Sequence, residues 1–216
     1  MLICGIDEAG RGPMIGPLVI AATLIDDKDE KKLIALHVKD SKQLSPKQRE
    51  SMFDDIKKTV KAYRIVPVSP QEIDEAVESE ETNLNWLEAD HTVALINELK
   101  PDKAILDCPS PNIKAYTTYV KKKLTIKCEI VAEHKADEKY PIVSAASILA
   151  KVTRDREIEA IKKRIGQEIG SGYPADPNTK AFVEKNYQKY PEIFRKSWES
   201  YKALIRKKGQ KRLGEF

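Results

Sequence analysis

Met1-Leu-Ile-Cys-Gly-Ile-Asp7 is an apolar run of strand length that ends on two adjacent carboxylates, Asp7 and Glu8. A turn rich in glycine and proline follows, Gly10-Arg-Gly-Pro-Met-Ile-Gly-Pro17, and then a second apolar run, Leu18 to Ile25. Two such runs around glycines and prolines predict a hairpin with a long turn. Buried strands rarely end on charges, because carboxylates are seldom buried unless something pairs with them. In a regular strand Asp7 and Glu8 point to opposite faces. Both can therefore serve one site only if the strand ends or bends there, or if Glu8 contributes its backbone oxygen.

The rest of the chain alternates strand and helix patterns. Ser45 caps a helix that opens on Pro46 and carries Met52, Phe53, Ile56 and Val60 on one face. Tyr63 to Val68 returns as a strand, and Ser69 and the segment Ser79 to Asn83 introduce two acidic helices, the longer from Asn83 to Leu99. Lys103 to Asp107 is a second short apolar run that ends on a carboxylate. A helix is predicted from Pro111 to Lys123, a strand from Leu124 to Val131, and a long helix from Tyr140 to Ile165. Gly170 to Pro177 breaks it, and helices near Thr179 to Lys189 and Lys196 to Lys208 follow. This order predicts an α/β three-layer domain with a mixed sheet.

Composition narrows the class. Hydrophobic residues make up 41% of the 216 and charged residues 33%, with no apolar run long enough for a membrane span. Nothing resembles a signal peptide, and Cys4, Cys108 and Cys128 form no CxxC pair, so reduced thiols in a cytoplasmic protein are expected. Aromatic residues are only 6%, which gives no sign of an oligomer interface, and a monomer is expected. Net charge is only +4, but it is segregated: no Lys or Arg lies between Arg64 and Lys100, while Arg195 to Phe216 carries eight basic residues against two acidic, or +6. A polyanion approaches the second region and avoids the first.

Carboxylates gathered from strand ends at one edge of an α/β sheet lie where such folds place their sites. Asp7, Glu8 and Asp107 end two strands, and Asp137 stands just before the long helix. Four clustered carboxylates resist ionising together, so a cluster of them makes sense around divalent cations, and all-oxygen ligands favour Mg²⁺ or Mn²⁺. Two such ions activate a water and stabilise the leaving oxygen of a phosphodiester. Gly10 to Gly16 also matches a dinucleotide fingerprint, as in an oxidoreductase, but that motif must open a helix and Pro13 and Pro17 oppose one. Arg11 between two glycines suits a phosphate backbone instead. A non-catalytic nucleic-acid-binding module would need only Arg11 and the basic tail. The four acids separate it from an enzyme, since carboxylates without metal weaken polyanion binding.

Taken together, GIDEAGRGPMIGP (Gly5 to Pro17), DSKQLS (Asp40 to Ser45), Ile105-Leu-Asp107, HKADEKYPIVSAAS (His134 to Ser147), AKVTRD (Ala150 to Asp155) and GSGYP (Gly170 to Pro174) resemble ribonuclease HII, of the archaeal single-chain kind. The resemblance implies an RNase H-like three-layer fold with a mixed sheet over residues 1–168, a small helical C-terminal lobe over 169–209, and a flexible tail from 210 to 216. It implies an endoribonuclease that cuts the RNA strand of RNA/DNA hybrids and cuts 5′ of single ribonucleotides embedded in duplex DNA. The products carry 3′-hydroxyl and 5′-phosphate ends, and the roles are removal of primers and of misincorporated ribonucleotides.

The family's four-acid, two-ion site falls on Asp7, Glu8, Asp107 and Asp137. Its substrate-binding groups fall on Gly10, Arg11 and Gly12, on Lys42, and on Tyr173, which stacks near the RNA-to-DNA junction. Lys151 and Arg154, one helical turn apart, are candidate phosphate contacts. His134 is a surface histidine by expectation, three residues from Asp137. Gln210, Leu213 and Phe216 have the spacing Q-x-x-L-x-x-F, which resembles a sliding-clamp-binding box with one aromatic where two are usual.

Overall fold

The computed structural model describes residues 1–38 and 44–213. In chain order the elements are β1 (Leu2–Ala9), β2 (Leu18–Asp26), α1 (Glu30–Ala35), α2 (Pro46–Thr59), β3 (Ala62–Val68), α3 (Pro70–Glu78), α4 (Leu84–Leu99), β4 (Lys103–Asp107), α5 (Ile113–Lys123), β5 (Glu129–Glu133), α6 (Ala136–Lys139), α7 (Pro141–Ile165), α8 (Pro177–Asn186) and α9 (Glu199–Leu213). They group into two compact units that interleave along the chain. The first holds 1–9, 19–67 and 84–153, and the second holds 10–18, 68–83 and 154–216. The sequence expectation placed one boundary at residue 168, and it did not assign the turn at 10–18 or the helix at 70–78 to the C-terminal unit.

The first unit is built on a five-stranded mixed sheet of order β3-β2-β1-β4-β5. β1 and β2 form the expected hairpin, antiparallel, with Asp7 opposite Ala21 and Glu8 opposite Ile20. β1 runs parallel to β4, with Ile6 beside Leu106, and β4 runs parallel to β5, with Asp107 beside Glu133. That register brings Asp7, one residue past Ile6, alongside Asp107, one residue past Leu106. The expected strand from Leu124 begins only at Glu129. Its partner β4 begins at Lys103, paired with Glu129, so the ladder offers nothing earlier to bond to.

One glycine sets how closely the helical layer approaches the sheet. A Cβ built on Gly5 lies 2.5 Å from the Ile142 carbonyl carbon and oxygen and 2.6 Å from the Val143 nitrogen. Only a residue without a side chain allows the start of α7 to lie against β1, where Thr23 Oγ1 also donates to the Ile142 carbonyl at 2.8 Å. Ala145, Ala146, Ile148, Leu149 and Val152 of α7 then bury themselves with Ile3, Val19, Ala21, Phe53, Ile56 and Ile105. At α2 the expected cap is present: Ser45 accepts from the Gln48 amide, and the Gln48 side chain accepts from the Ser45 amide.

The second unit has its own apolar cluster, in which Met14 and Ile15 of the turn pack with Ile158, Ile169, Phe182, Val183, Ile193, Phe194 and Tyr201. α9 runs to Leu213, five residues beyond Lys208 where the sequence pattern ends it. Ala203, Leu204, Arg206, Lys207 and Lys208 are good helix formers, and a helix through them continues past Gly209.

Candidate active site

Period-two alternation decides which carboxylates can meet. Gly5 faces α7, so Asp7, two residues on, lies on the same face of β1 and Glu8 lies on the other. β1 stays a regular strand to Ala9, so the bend that would bring both side chains to one site does not occur. Asp7, Asp107 and Asp137 do come together: one carboxylate oxygen from each lies within 4.8 Å of the other two. The Glu8 side chain is not part of this group. Its charge and that of Glu88 add to the burial that pushes up the Cys108 thiol and the Tyr116 phenol.

Each of the three aspartates is fixed by its element. Asp7 is 5% exposed, and its carboxylate accepts from the Glu8 amide at 2.8 Å. Asp107 ends β4 and accepts from the Ala136 amide at 3.2 Å. That hydrogen bond ties the start of α6 to the end of β4 and so sets where Asp137, 2% exposed, presents its carboxylate. Burial pushes the Asp7 carboxyl up to about 7. The Asp107 charge adds to this, while the Ser147 hydroxyl, the Glu8 amide and the Lys151 charge oppose it.

A cluster that holds an acid near 7 against its own tendency to ionise gains stability from a cation. Its donors are all carboxylate oxygens, and the set fits a hard divalent ion such as Mg²⁺ or Mn²⁺. Ser147, fully buried on α7, was not picked out from the sequence. The signal was present, because it lies on the same helix face as Lys151, four residues on.

The other expected residues divide by unit. The Lys151 charge bears on Asp7. Arg154, 6% exposed, is not open to a phosphate. Its guanidinium donates to the Ser171 carbonyl at 2.5 Å and stacks under the Tyr173 ring, 5.0 Å from the centroid. Tyr173 itself is 39% exposed. A Cβ on Gly12 would stand 3.8 Å from its Cε1 atom, so Gly12 and the tyrosine are neighbours in the second unit.

Gly10 has φ +81°, a value that L side chains rarely adopt. The Gly10 to Gly16 turn leads into β2 rather than a helix, which removes the dinucleotide reading. His134 is exposed, and its Nδ1 pairs with the Cys108 carbonyl at 3.0 Å. Lys42 and Phe216 lie outside the described residues. Gln210 and Leu213 fall on the α9 backbone, and their side chains lie outside the description. Cys4, Cys108 and Cys128 are free thiols, and no helix among the described residues is long and apolar enough to cross a membrane.

A family profile described as ribonuclease HII matches residues 4–201. The chain belongs to the ribonuclease HII family. It is 47% identical over 209 residues to the ribonuclease HII of Pyrococcus horikoshii, covering 94% of this chain and 93% of that one. The crystal structure of ribonuclease H2 from Pyrococcus horikoshii superposes with a TM-score of 0.88 at 45% identity, covering 97% of this chain and all of that one. The RNase HII in a complex with PCNA from Archaeoglobus fulgidus superposes at 0.82 with 38% identity, covering 94% and 96%. The fold is therefore RNase H-like, and the protein is a ribonuclease H, a metal-dependent nuclease with endonuclease activity on RNA/DNA.

Proposed function

We propose that this ribonuclease HII hydrolyses the RNA strand of RNA/DNA hybrids and cuts on the 5′ side of single ribonucleotides in duplex DNA, leaving 3′-hydroxyl and 5′-phosphate ends. The observation that carries this reading is the convergence of Asp7, Asp107 and Asp137 within 4.8 Å, an arrangement suited to phosphodiester hydrolysis with metal, whereas without metal it weakens the binding of a polyanion. These three, with Glu8 through its backbone oxygen, would hold two Mg²⁺ or Mn²⁺ ions. When bound, the ions supply activation of a water and stabilisation of the charge on the leaving oxygen.

The chain's own residues do the rest. Asp7, whose carboxyl burial pushes up to about 7, would have to be ionised to serve as a ligand. Asp107, fixed by the Ala136 amide, keeps a carboxylate oxygen within 4.8 Å of one of Asp7. Lys151 offsets part of the negative charge that would otherwise repel a phosphate. In the second unit, the backbone groups of Gly10, Arg11 and Gly12 read the ribose 2′-hydroxyl, the only group that marks one ribonucleotide in DNA. The Tyr173 ring, held from beneath by Arg154, packs on the next, deoxy, sugar, and Lys42 approaches a phosphate.

The activity serves removal of primers and of misincorporated ribonucleotides in the cytoplasm. Gln210, Leu213 and Phe216 dock on a sliding clamp. Support for the clamp is the Q-x-x-L-x-x-F spacing together with the relative seen in complex with PCNA. The test is a 5′-labelled DNA duplex with one ribonucleotide, incubated with Mg²⁺ and resolved at single-nucleotide length. One product ending 5′ of the ribonucleotide in a 3′-hydroxyl supports the reading. A cut on its 3′ side, or a cyclic phosphate end, overturns it.

A further inference from the structure

Arg195 is fully buried, although a guanidinium is costly to remove from water unless its donors are satisfied. Its three nitrogens reach three backbone carbonyls of the same turn. Nε donates to Gly16 at 3.0 Å, Nη1 to Arg11 at 3.0 Å and Nη2 to Gly10 at 2.6 Å. The Trp198 ring lies 5.1 Å from the guanidinium carbon. The segment that carries Arg195 is itself fixed along the turn, by the Gly16 amide donating to Ile193 at 2.9 Å, the Arg195 amide donating to Met14 at 2.9 Å, and a bridge between Ile15 and Phe194.

The consequence follows from peptide planarity. In a trans peptide the N–H points opposite to the C=O, and no peptide bond among the described residues is cis. With the Gly10 and Arg11 carbonyls turned in toward the guanidinium, the Arg11 and Gly12 N–H groups are turned away from it. The Gly16 carbonyl belongs to the peptide with Pro17, which has no N–H, so the third hydrogen bond serves only to close the turn.

We infer that Arg195 is the positioning residue of the substrate-binding turn: by holding three carbonyls inward it presents the Arg11 and Gly12 amides, pre-ordered, to the acceptor oxygens of a ribonucleotide and its phosphate. An apolar side chain of equal volume fills the space but cannot orient the peptides. A lysine places one ammonium where three separate nitrogens are needed. The inference rests on the proposed reading that Gly10 to Gly12 hold the nucleic acid.

The test compares the full-length parent with Arg195→Lys, using steady-state cleavage of the single-ribonucleotide duplex and ¹⁵N relaxation of the Arg11 and Gly12 amides. In the parent the free protein shows rigid amides, with order parameters of about 0.85. In Arg195→Lys, folded by circular dichroism, they fall below about 0.6. KM rises at least ~10-fold, the equivalent of one charge-assisted hydrogen bond, while kcat stays within about twofold and the Mg²⁺ midpoint does not move. A purely structural role gives no such split between KM and kcat.

An unchanged KM in a folded Arg195→Lys overturns the inference. So do mobile Arg11 and Gly12 amides in the free parent, a result that needs no variant to fold. Failure of the functional reading appears elsewhere, as a parent that leaves the duplex uncut.

Discussion

Replacing Gly5 with alanine tests how the sheet and α7 together place the acids. The added Cβ stands 2.5 Å from the carbonyl carbon and oxygen of Ile142 and 2.6 Å from the Val143 nitrogen. Ordinary van der Waals contact begins near 3.4 Å, so either α7 or β1 must retreat by about 1 Å. The obstacle is main chain and cannot swing aside as a side chain tip can. Overpacking of this kind costs about 1–3 kcal/mol, and the smaller conformational freedom of alanine in the unfolded chain returns up to about 1 kcal/mol.

A net loss of about 2 kcal/mol lowers the melting temperature by roughly 4–8 °C in a chain of this size. The same 1 Å separates Asp7 on β1 from Asp137 just before α7, in a cluster only 4.8 Å across. A misplacement of that size costs on the order of 100-fold in kcat. The assay pairs a thermal melt in EDTA with cleavage of a labelled RNA/DNA hybrid in Mg²⁺. A Gly5→Ala protein that melts within 1 °C of the parent and keeps its kcat refutes the close-approach argument.

Three further outcomes are expected. The folded value for Asp7, about 7, lies above its ordinary 3.8 because of burial, so its contribution to metal-free stability is complete below about pH 4 and is lost as pH rises through 7. The difference amounts to at most about 4 kcal/mol. Urea midpoints in EDTA at pH 4.5 and 7.5 check this: Asp7→Asn gains on the parent at the higher pH, and parallel pH dependence contradicts the assignment. Tyr173→Phe binds the single-ribonucleotide duplex like the parent while Tyr173→Ala binds it about tenfold less tightly; equal impairment of the two removes the ring from the account. Deleting Gln210 to Phe216 abolishes binding to the cognate sliding clamp in surface plasmon resonance, and unchanged binding ends that proposal.

How much of this was legible in the sequence depends on which force set each feature. The hairpin, Asp107 at the end of β4 and the Ser45 cap follow from local patterns, because apolar runs, turn residues and a capping box act over a few neighbours. The placement of Glu8 rested on whether β1 bends. That is decided by its ladders to β2 and β4, which the sequence does not display. Arg154 looked like an exposed phosphate contact because it follows Lys151 by one turn. Its burial beneath Tyr173 comes from a loop seventeen residues further on.

Gly5 lies inside an apolar run and gives no sign that a helix start 137 residues later demands it. Arg195 left no trace in any periodicity, since its partners are backbone carbonyls 179 to 185 residues away.

The most direct test of the central claim is cleavage of a labelled RNA/DNA hybrid by the parent and by Asp107→Asn, each in Mg²⁺, Mn²⁺ and EDTA. Asparagine keeps the Oδ1 acceptor that the Ala136 amide uses, so the substitution removes the charge from the three-aspartate cluster and leaves its scaffold in place. The account predicts cutting by the parent in either metal, none in EDTA, and at least a 100-fold loss in Asp107→Asn, of the order that a lost charge-stabilising group costs. Cutting by the parent in EDTA, or an Asp107→Asn protein that cuts at the parent's rate, contradicts it.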